Sequence, residues 1–434
     1  MDRPSKIDPP APASEPFAEL AASAAKIGCM SFGGPAAQIA LMHRTFVEEK
    51  KWIDEARYLH ALNYCMLLPG PEAQQLATYV GWLLHGVKGG IVAGALFVLP
   101  GAIVVFALSW LYAAHGEAPL VESAFYGVRA AVLAFVIEAL NRIARRALKR
   151  RSDFLIAIAA FVALTLFSLP FPLIILAAAL VGVFHAKDVG LGASKTPRPL
   201  FAKTLATAVV WAGIWATPVI AAFAVLGQDH VVTRVGVFFS KLALVTFGGA
   251  YALLAWLREQ AVETEGWLSA AQMIDGLGLA ETTPGPLVLV NQFVGFMAGY
   301  QTEGGGFFVA TLAALMASWC TFAPSFLWIF AGAPYAERLR ADPRATGALS
   351  AITAAVLGVI ASLAFWFAVH VLFRETATAI LPWGADLTIP DMTSFDPVAT
   401  LIAAAAGVAL IRYHANAILV VAGALIAGIA ISAF

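Results

Sequence analysis

Charge is scarce in this chain of 434 residues: Asp, Glu, Lys and Arg together make up 12% of it, about half the share of an ordinary soluble domain. The 27 basic residues are balanced by 27 acidic ones, so there is no broad basic face of the kind that holds nucleic acid. Cysteine is nearly absent. Cys29, Cys65 and Cys320 stand singly in apolar stretches, and their spacing fits no disulfide framework, metal site or redox pair; they read as small packing residues. The eight histidines form no HExxH pair, and neither a GxSxG turn nor a Walker phosphate loop is found. These gaps leave an ATP-driven pump, a membrane protease and a lipid-processing enzyme without a reactive set. The chain reads as a non-enzyme that needs no cofactor and no metal.

What is abundant is apolar sequence, at 60% of the residues. Uncharged runs cover 89–116, 154–186, 204–228, 304–336 and 345–373, each longer than the roughly 20 residues a helix needs to cross a bilayer core. That excludes a soluble α/β enzyme, a disordered chain and a disulfide-rich secreted module. Residues 1–16 hold five prolines and no apolar core, which reads as a flexible tail and not as a signal peptide.

The chain also contains itself twice. Lys26, Phe32-Gly33-Gly34, Glu48, Trp52 and Pro69-Gly70-Pro71 return 215 residues later as Lys241, Phe247-Gly248-Gly249, Glu263, Trp267 and Pro284-Gly285-Pro286. Gly89-Gly90 falls on Gly304-Gly305 after a compensated gap near Gly81/Gly295, and Ala130–Leu133 matches Ala354–Leu357 at an offset of 224. The reading is a first repeat at 17–203, a bridging transmembrane helix at 204–230 and a second repeat at 231–434. Apolar runs and breakers place spans near 17–33, 57–86, 89–114, 119–141, 154–168, 171–186, 204–227, 232–257, 268–300, 305–333, 345–373, 397–411 and 416–433. Thirteen crossings put seven between each element and its copy, so the copies face opposite ways, as inverted repeats do in secondary transporters. With the N-terminus inside, 18 Lys/Arg lie on cytoplasmic segments and 6 outside, which favours that orientation. The expected fold is all-α, polytopic and built from two inverted repeats.

The breakers carry the chemistry. Pro-Gly-Pro in mid-span interrupts a helix, and paired glycines loosen one. Irregular backbone at membrane depth persists only where it is buried in protein or lines a wet cavity. A helix that restarts after a break presents free N–H groups and about half a positive charge, which makes an anion site without side chains. Four such starts, at both Phe-Gly-Gly and both Pro-Gly-Pro motifs, are expected to meet, with Lys26 and Lys241 adding formal charge and Arg129 as an accessory cation. Gln74 and Gln75, and Asn291 and Gln292, follow the two prolines as hydrogen-bonding candidates. Glu72 and Glu281 are candidates for proton coupling. Gly86, Gly90 and Gly94, and Gly295 and Gly299, permit close helix approach. The expected substrate is a small anion, with a dianion fitting the charge of the helix starts.

The order Lys26, Phe32-Gly33-Gly34, Trp52, Pro69-Gly70-Pro71, Tyr79-Val80-Gly81, Gly89-Gly90 and Leu99-Pro100-Gly101, repeated once, resembles the chromate ion transporter family in its long, two-domain form. The resemblance runs from about residue 20 to the end. It implies a multi-pass carrier of a bacterial or archaeal inner membrane that exports chromate and confers chromate resistance; the inverted repeats add the expectation of alternating access, one repeat bundle moving against the other. The resemblance also implies that the Phe-Gly-Gly, Pro-Gly-Pro and lysine positions of both halves correspond to the family's motif regions. Sulfate or another oxyanion, and a passive anion channel, are the alternatives; a homodimer is compatible with the sequence. The halves diverge: Pro35 follows the first Phe-Gly-Gly and Ala250 the second, and Leu99-Pro100 becomes Ala323-Pro324.

Overall fold

The computed structural model describes residues 16–32, 34–185, 201–247, 249–333, 343–383 and 386–432. In the first half, α1 (Phe17–Met30) stops before the Phe-Gly-Gly motif and α2 (Gly34–His43) restarts after it, closing in a π-helical turn at Arg44–Glu49. Then come α3 (Glu55–Cys65), α4 (Glu72–His115), α5 (Pro119–Ala147), α6 (Arg151–Phe167) and α7 (Phe171–His185). After the bridging α8 (Phe201–Leu226) the order recurs: α9 (Val231–Val245), α10 (Ala250–Arg258) with its π-helical turn Glu259–Thr264, and α11 (Ala270–Thr282). A 3-10 turn at Leu287–Leu289 leads into α12 (Val290–Gln301), followed by α13 (Phe307–Gly332), α14 (Pro343–Leu372), α15 (Pro397–Tyr413) and α16 (Ala417–Ser432).

Several expected spans are therefore not single helices. The 57–86 stretch is α3, an irregular turn through Pro69–Pro71 and the first arm of α4; the 268–300 stretch is α11, a second such turn and α12. With 11 residues, α3 is about 16 Å long, half a bilayer core. Proline is the reason, since it removes a donor and clashes with the turn before it. Both short helices begin with a side-chain cap at equivalent positions: Asp54 accepts from the Arg57 N–H at 2.9 Å, and Ser269 forms a capping box with Gln272. α4 is a hairpin in disguise. Its backbone leaves the helical region at His85 and Gly86, and a side chain at Gly81 would collide with the Gly89 carbonyl, so the arms before and after the kink lie against each other. The glycines at 90, 94, 295 and 299 serve the same close packing within the chain.

Among the described residues five helices, α4, α5, α8, α13 and α14, are long and apolar enough to cross a membrane. They differ in where their apolar surface goes. Only 6% of the apolar window of α8 is buried, against 78% of that of α14; α8 turns its side chains outward, as a lipid-facing helix does, while α14 is core. One departure from all-α is a two-stranded antiparallel hairpin, β1 (Thr376–Ile380) with β2 (Asp386–Pro390), Thr378 opposite Thr388. Its Thr-Ala-Thr-Ala-Ile strand combines β-branched residues with strict alternation, which favours extended backbone.

The two halves interlock. α14 of the second half packs on α6 and α7 of the first, and α5 of the first packs on α15 and α16 of the second. The close points match across the halves. A side chain at Gly182 would strike the Gly347 carbonyl, and one at Gly428 the Ser123 carbonyl. Polar ties fasten the exchange: Thr165 Oγ1 donates to Ser362 Oγ at 2.8 Å, the Trp383 indole to the Leu166 carbonyl at 2.7 Å, and Tyr126 to Asp396 at 2.9 Å.

Candidate functional site

The four breaks meet at one place. α1 ends where the Ser31 hydroxyl donates to the Ile27 carbonyl at 2.7 Å, and α9 where Thr246 donates to Leu242 at 2.6 Å. The backbone then turns through Gly34 (φ +80°) and Gly249 (φ +101°). The Pro-Gly-Pro turns pass through Gly70 (φ +113°) and Gly285 (φ +99°), a region that residues with a Cβ enter only with strain. The Gly70 N–H donates to the Thr246 carbonyl at 2.8 Å, and the Gly285 N–H to the Ser31 carbonyl at 2.8 Å. The same offset of 215 carries Ser31 to Thr246 and Gly70 to Gly285. Each half thus closes the other's break by the same bond, which is the signature of a two-fold, self-complementary contact. Gln38 adds a tie that has no copy, its amide donating to the Gly285 carbonyl at 2.8 Å; residue 253, its counterpart, is leucine.

Around this crossing lies a cleft of roughly 340 Å³ measured out to its mouth. Its lining is made of helix beginnings: Pro35 of α2, Glu72 and Ala73 of α4 after Gly70 and Pro71, Gly249 and Ala250 of α10, and Pro286 to Val288 leading into α12, with Gln38 and Thr246 between them. First-turn N–H groups have no intrahelical acceptor, so four starts facing one cleft supply donors and positive potential. Gln38 is wholly buried and its Oε1 has no partner. Among the described residues Glu72 is the one ionisable side chain in the lining.

The remaining sequence candidates divide sharply. Gly33 and Gly248 lie outside the described residues. Phe32 and Phe247 are half-buried in their breaks, while Lys26 and Lys241 are exposed on α1 and α9 and do not reach the lining. Pro69 accepts from Gln75 Nε2 at 2.7 Å, and the Pro284 carbonyl sits over Gly101. Gln74 is buried with both amide atoms unpaired. Asn291 donates to Thr321 at 3.0 Å and Gln292 to the Ala102 carbonyl at 3.0 Å, which ties α12 to α13 and α4. Glu281 is buried against the Tyr251 hydroxyl, away from the cleft.

Arg129 is not a free cation. Its guanidinium grips Asp275 of α11 through two bonds, 2.7 and 2.8 Å, and Tyr112 donates to the same carboxylate at 2.7 Å. Asp275 has no exposed surface. Sequence reasoning named Arg129 and overlooked its partner, although an acid alone in the apolar stretch around Met273–Leu279 carried the same signal. Ser31 and Thr246 were also overlooked; a hydroxyl residue stands before Phe-Gly-Gly in both halves. A larger cleft of roughly 550 Å³ lies at the far end of α10, but its Arg258 is occupied by Glu263 at 3.0 Å and by the Trp366 ring at 5.1 Å. Among the described residues no three His, Cys, Asp or Glu side chains gather as a metal would require.

Comparison with known proteins places the chain. The family described as Chromate transporter matches residues 18–183 and 233–429. The chain is 34% identical over 359 residues to a chromate transport protein of Pseudomonas aeruginosa, covering 81% of this chain and 80% of that one. It is 29% identical to a probable chromate transport protein of Synechococcus elongatus, with 88% and 93% covered, and 29% identical to a chromate transport protein of Cupriavidus metallidurans, with 89% and 91% covered. No solved structure matches the chain.

Proposed function

The chain belongs to the chromate transporter family, and from that premise we propose that it carries chromate out of the cell across the cytoplasmic membrane, binding the anion in the cleft at the crossing. The observation that supports this most is the meeting of four helix starts in one cleft. At about half a unit each they sum to roughly two positive charges, enough to hold a tetrahedral oxyanion without placing a lysine there. Backbone N–H groups lining a dry site strip water from the anion and replace it with fixed donors. The exposed Lys26 and Lys241 then act outside the cleft, drawing anions toward it.

Glu72 gives the site a switch. Its carboxylate repels an oxyanion while ionised and admits it once protonated, which couples anion entry to a proton. Glu281, engaged by Tyr251 outside the cleft, takes no part. The crossed bonds from Gly70 and Gly285 tie the two breaks to each other, which favours a carrier over a channel. The reciprocal contacts fit inverted repeats about an axis in the membrane plane, with the N-terminus cytoplasmic. The interlock changes the moving unit, because a repeat whose last helices are packed on its partner does not swing as one body. The core of α1–α4 and α9–α13 shifting against a rim of α5–α7 and α14–α16 keeps the interlocked helices together, with Arg129–Asp275 as a tie between the two bodies.

The test is chromate uptake into everted vesicles. Gly70→Leu and Gly285→Leu are each expected to abolish it while the protein still inserts, because leucine cannot hold their positive φ cheaply. Normal uptake in both would remove the cleft from the mechanism. Sulfate as a competitor, and pH gradients of both signs, establish the substrate and the coupling.

A further inference from the structure

The first Pro-Gly-Pro break borders a second polar place. Gly70 lines the cleft, and a side chain built on it would also meet Gln75 Nε2 at 2.9 Å and Ser325 Oγ, on α13, at 3.7 Å. Both residues have 0% exposure. Ser325 Oγ and Gln75 Oε1 have no hydrogen-bond partner. The amide orientation of Gln75 is fixed, because the Pro69 carbonyl only accepts and Nε2 must face it. An unpartnered carbonyl oxygen and an unpartnered hydroxyl are therefore carried by two buried side chains that both pack against Gly70 at the edge of the cleft. Native folds rarely keep such groups without a use.

The second break shows that packing does not demand them. At Gly285 the matching atoms are Leu289 Cδ1 at 2.9 Å and Gly101 Cα at 3.2 Å. Gly101 stands where Ser325 stands, and Leu289 where Gln75 stands. The same backbone is cradled once by polar groups and once by apolar ones.

Resting on the reading of the cleft as an oxyanion site, we propose that Gln75 and Ser325 form a selective station for a hydroxyl-bearing tetrahedral oxyanion. The Ser325 hydroxyl donates to one oxygen of the anion, and Gln75 Oε1 accepts from the anion's own O–H. Chromate takes up a proton near neutral pH, whereas sulfate does so only in strong acid. A station with an acceptor as well as a donor therefore favours hydrogen chromate and leaves the Gln75 oxygen facing a lone pair when sulfate enters. An acceptor left unpaired or opposed by a bound analogue is what gives large discrimination in buried sites.

The experiment measures saturation of chromate uptake, with sulfate as competitor, in proteoliposomes of wild type, Gln75→Leu, Ser325→Ala, Ser325→Thr and Leu289→Gln. Gln75→Leu and Ser325→Ala are expected to raise the chromate half-saturation concentration about tenfold, with little change in maximal rate, and to erase the preference over sulfate. Ser325→Thr restores it, and Leu289→Gln alters neither quantity. Wild-type half-saturation and wild-type preference in both Gln75→Leu and Ser325→Ala overturn the station while leaving the cleft intact. Failure of the wild type to move chromate overturns the cleft reading itself. If Gln75→Leu does not fold, Ser325→Ala against Ser325→Thr decides the matter, since both suit a helix and differ at the hydroxyl.

Discussion

After Pro71 the chain enters α4 at once, on Glu72, with Gln74 and Gln75 on its first turns; after Pro286 it makes a 3-10 turn of Leu287, Val288 and Leu289 before α12 begins. The backbone bond is common to both places, a glycine N–H reaching the last carbonyl of the other half's broken helix at 2.8 Å. The side chains are not. One break carries a carboxylate and two amides, the other three aliphatic groups and the borrowed amide of Gln38. Duplication kept the crossing, which is a matter of backbone, and released the side chains around it to diverge. The backbone is symmetric here and the side chains are not.

The largest effect is expected where the halves are alike. Gly70→Leu and Gly285→Leu should abolish uptake equally, and a surviving activity in one alone would show that the two crossings are not equivalent. Next comes a tie between the halves that has no copy, the pair Arg129–Asp275, whose counterparts are Thr353 and His60. Asp275→Asn leaves a half-buried guanidinium uncompensated and should cost about 3–5 kcal/mol of stability, read from thermal unfolding in detergent, while Arg129→Met with Asp275→Leu recovers most of it. A smaller effect separates the two glutamates. Glu72→Gln should flatten the pH dependence of chromate flux with binding retained, and Glu281→Gln should leave the profile unchanged; the reverse result would move the coupling group out of the cleft. Smallest are the matched caps. Asp54→Ala and Ser269→Ala should each lower stability by about 1 kcal/mol, and unequal losses would show that one half-helix is held mainly by its neighbours.

The duplication, the apolar class and the four interruptions were legible because glycine and proline act locally, and their pattern survives in one dimension. The partners of the breaks were not. Nothing in the order of residues says that Gly70 meets Thr246 and not its own Ser31, or that Lys26 faces outward two turns before a motif that faces inward. Helix phase decides the second point, and a shift of one or two residues in a helix start reverses it. Gln38 was invisible for another reason: it stands at a position that the second half gives to leucine, so the repeat offered no signal. The hairpin at Thr376–Pro390 was lost between apolar runs that drew attention to helices.

Composition by itself settled that the chain lives in a bilayer, and proline and glycine settled where its helices stop, because both are properties of a residue and its immediate neighbours. Which broken end faces which, which charges find a partner, and which half keeps the polar cradle were decided only when the two copies folded through one another. Those outcomes depend on contacts between residues more than 100 positions apart, and such contacts are fixed by packing and hydrogen bonding across the assembled bundle.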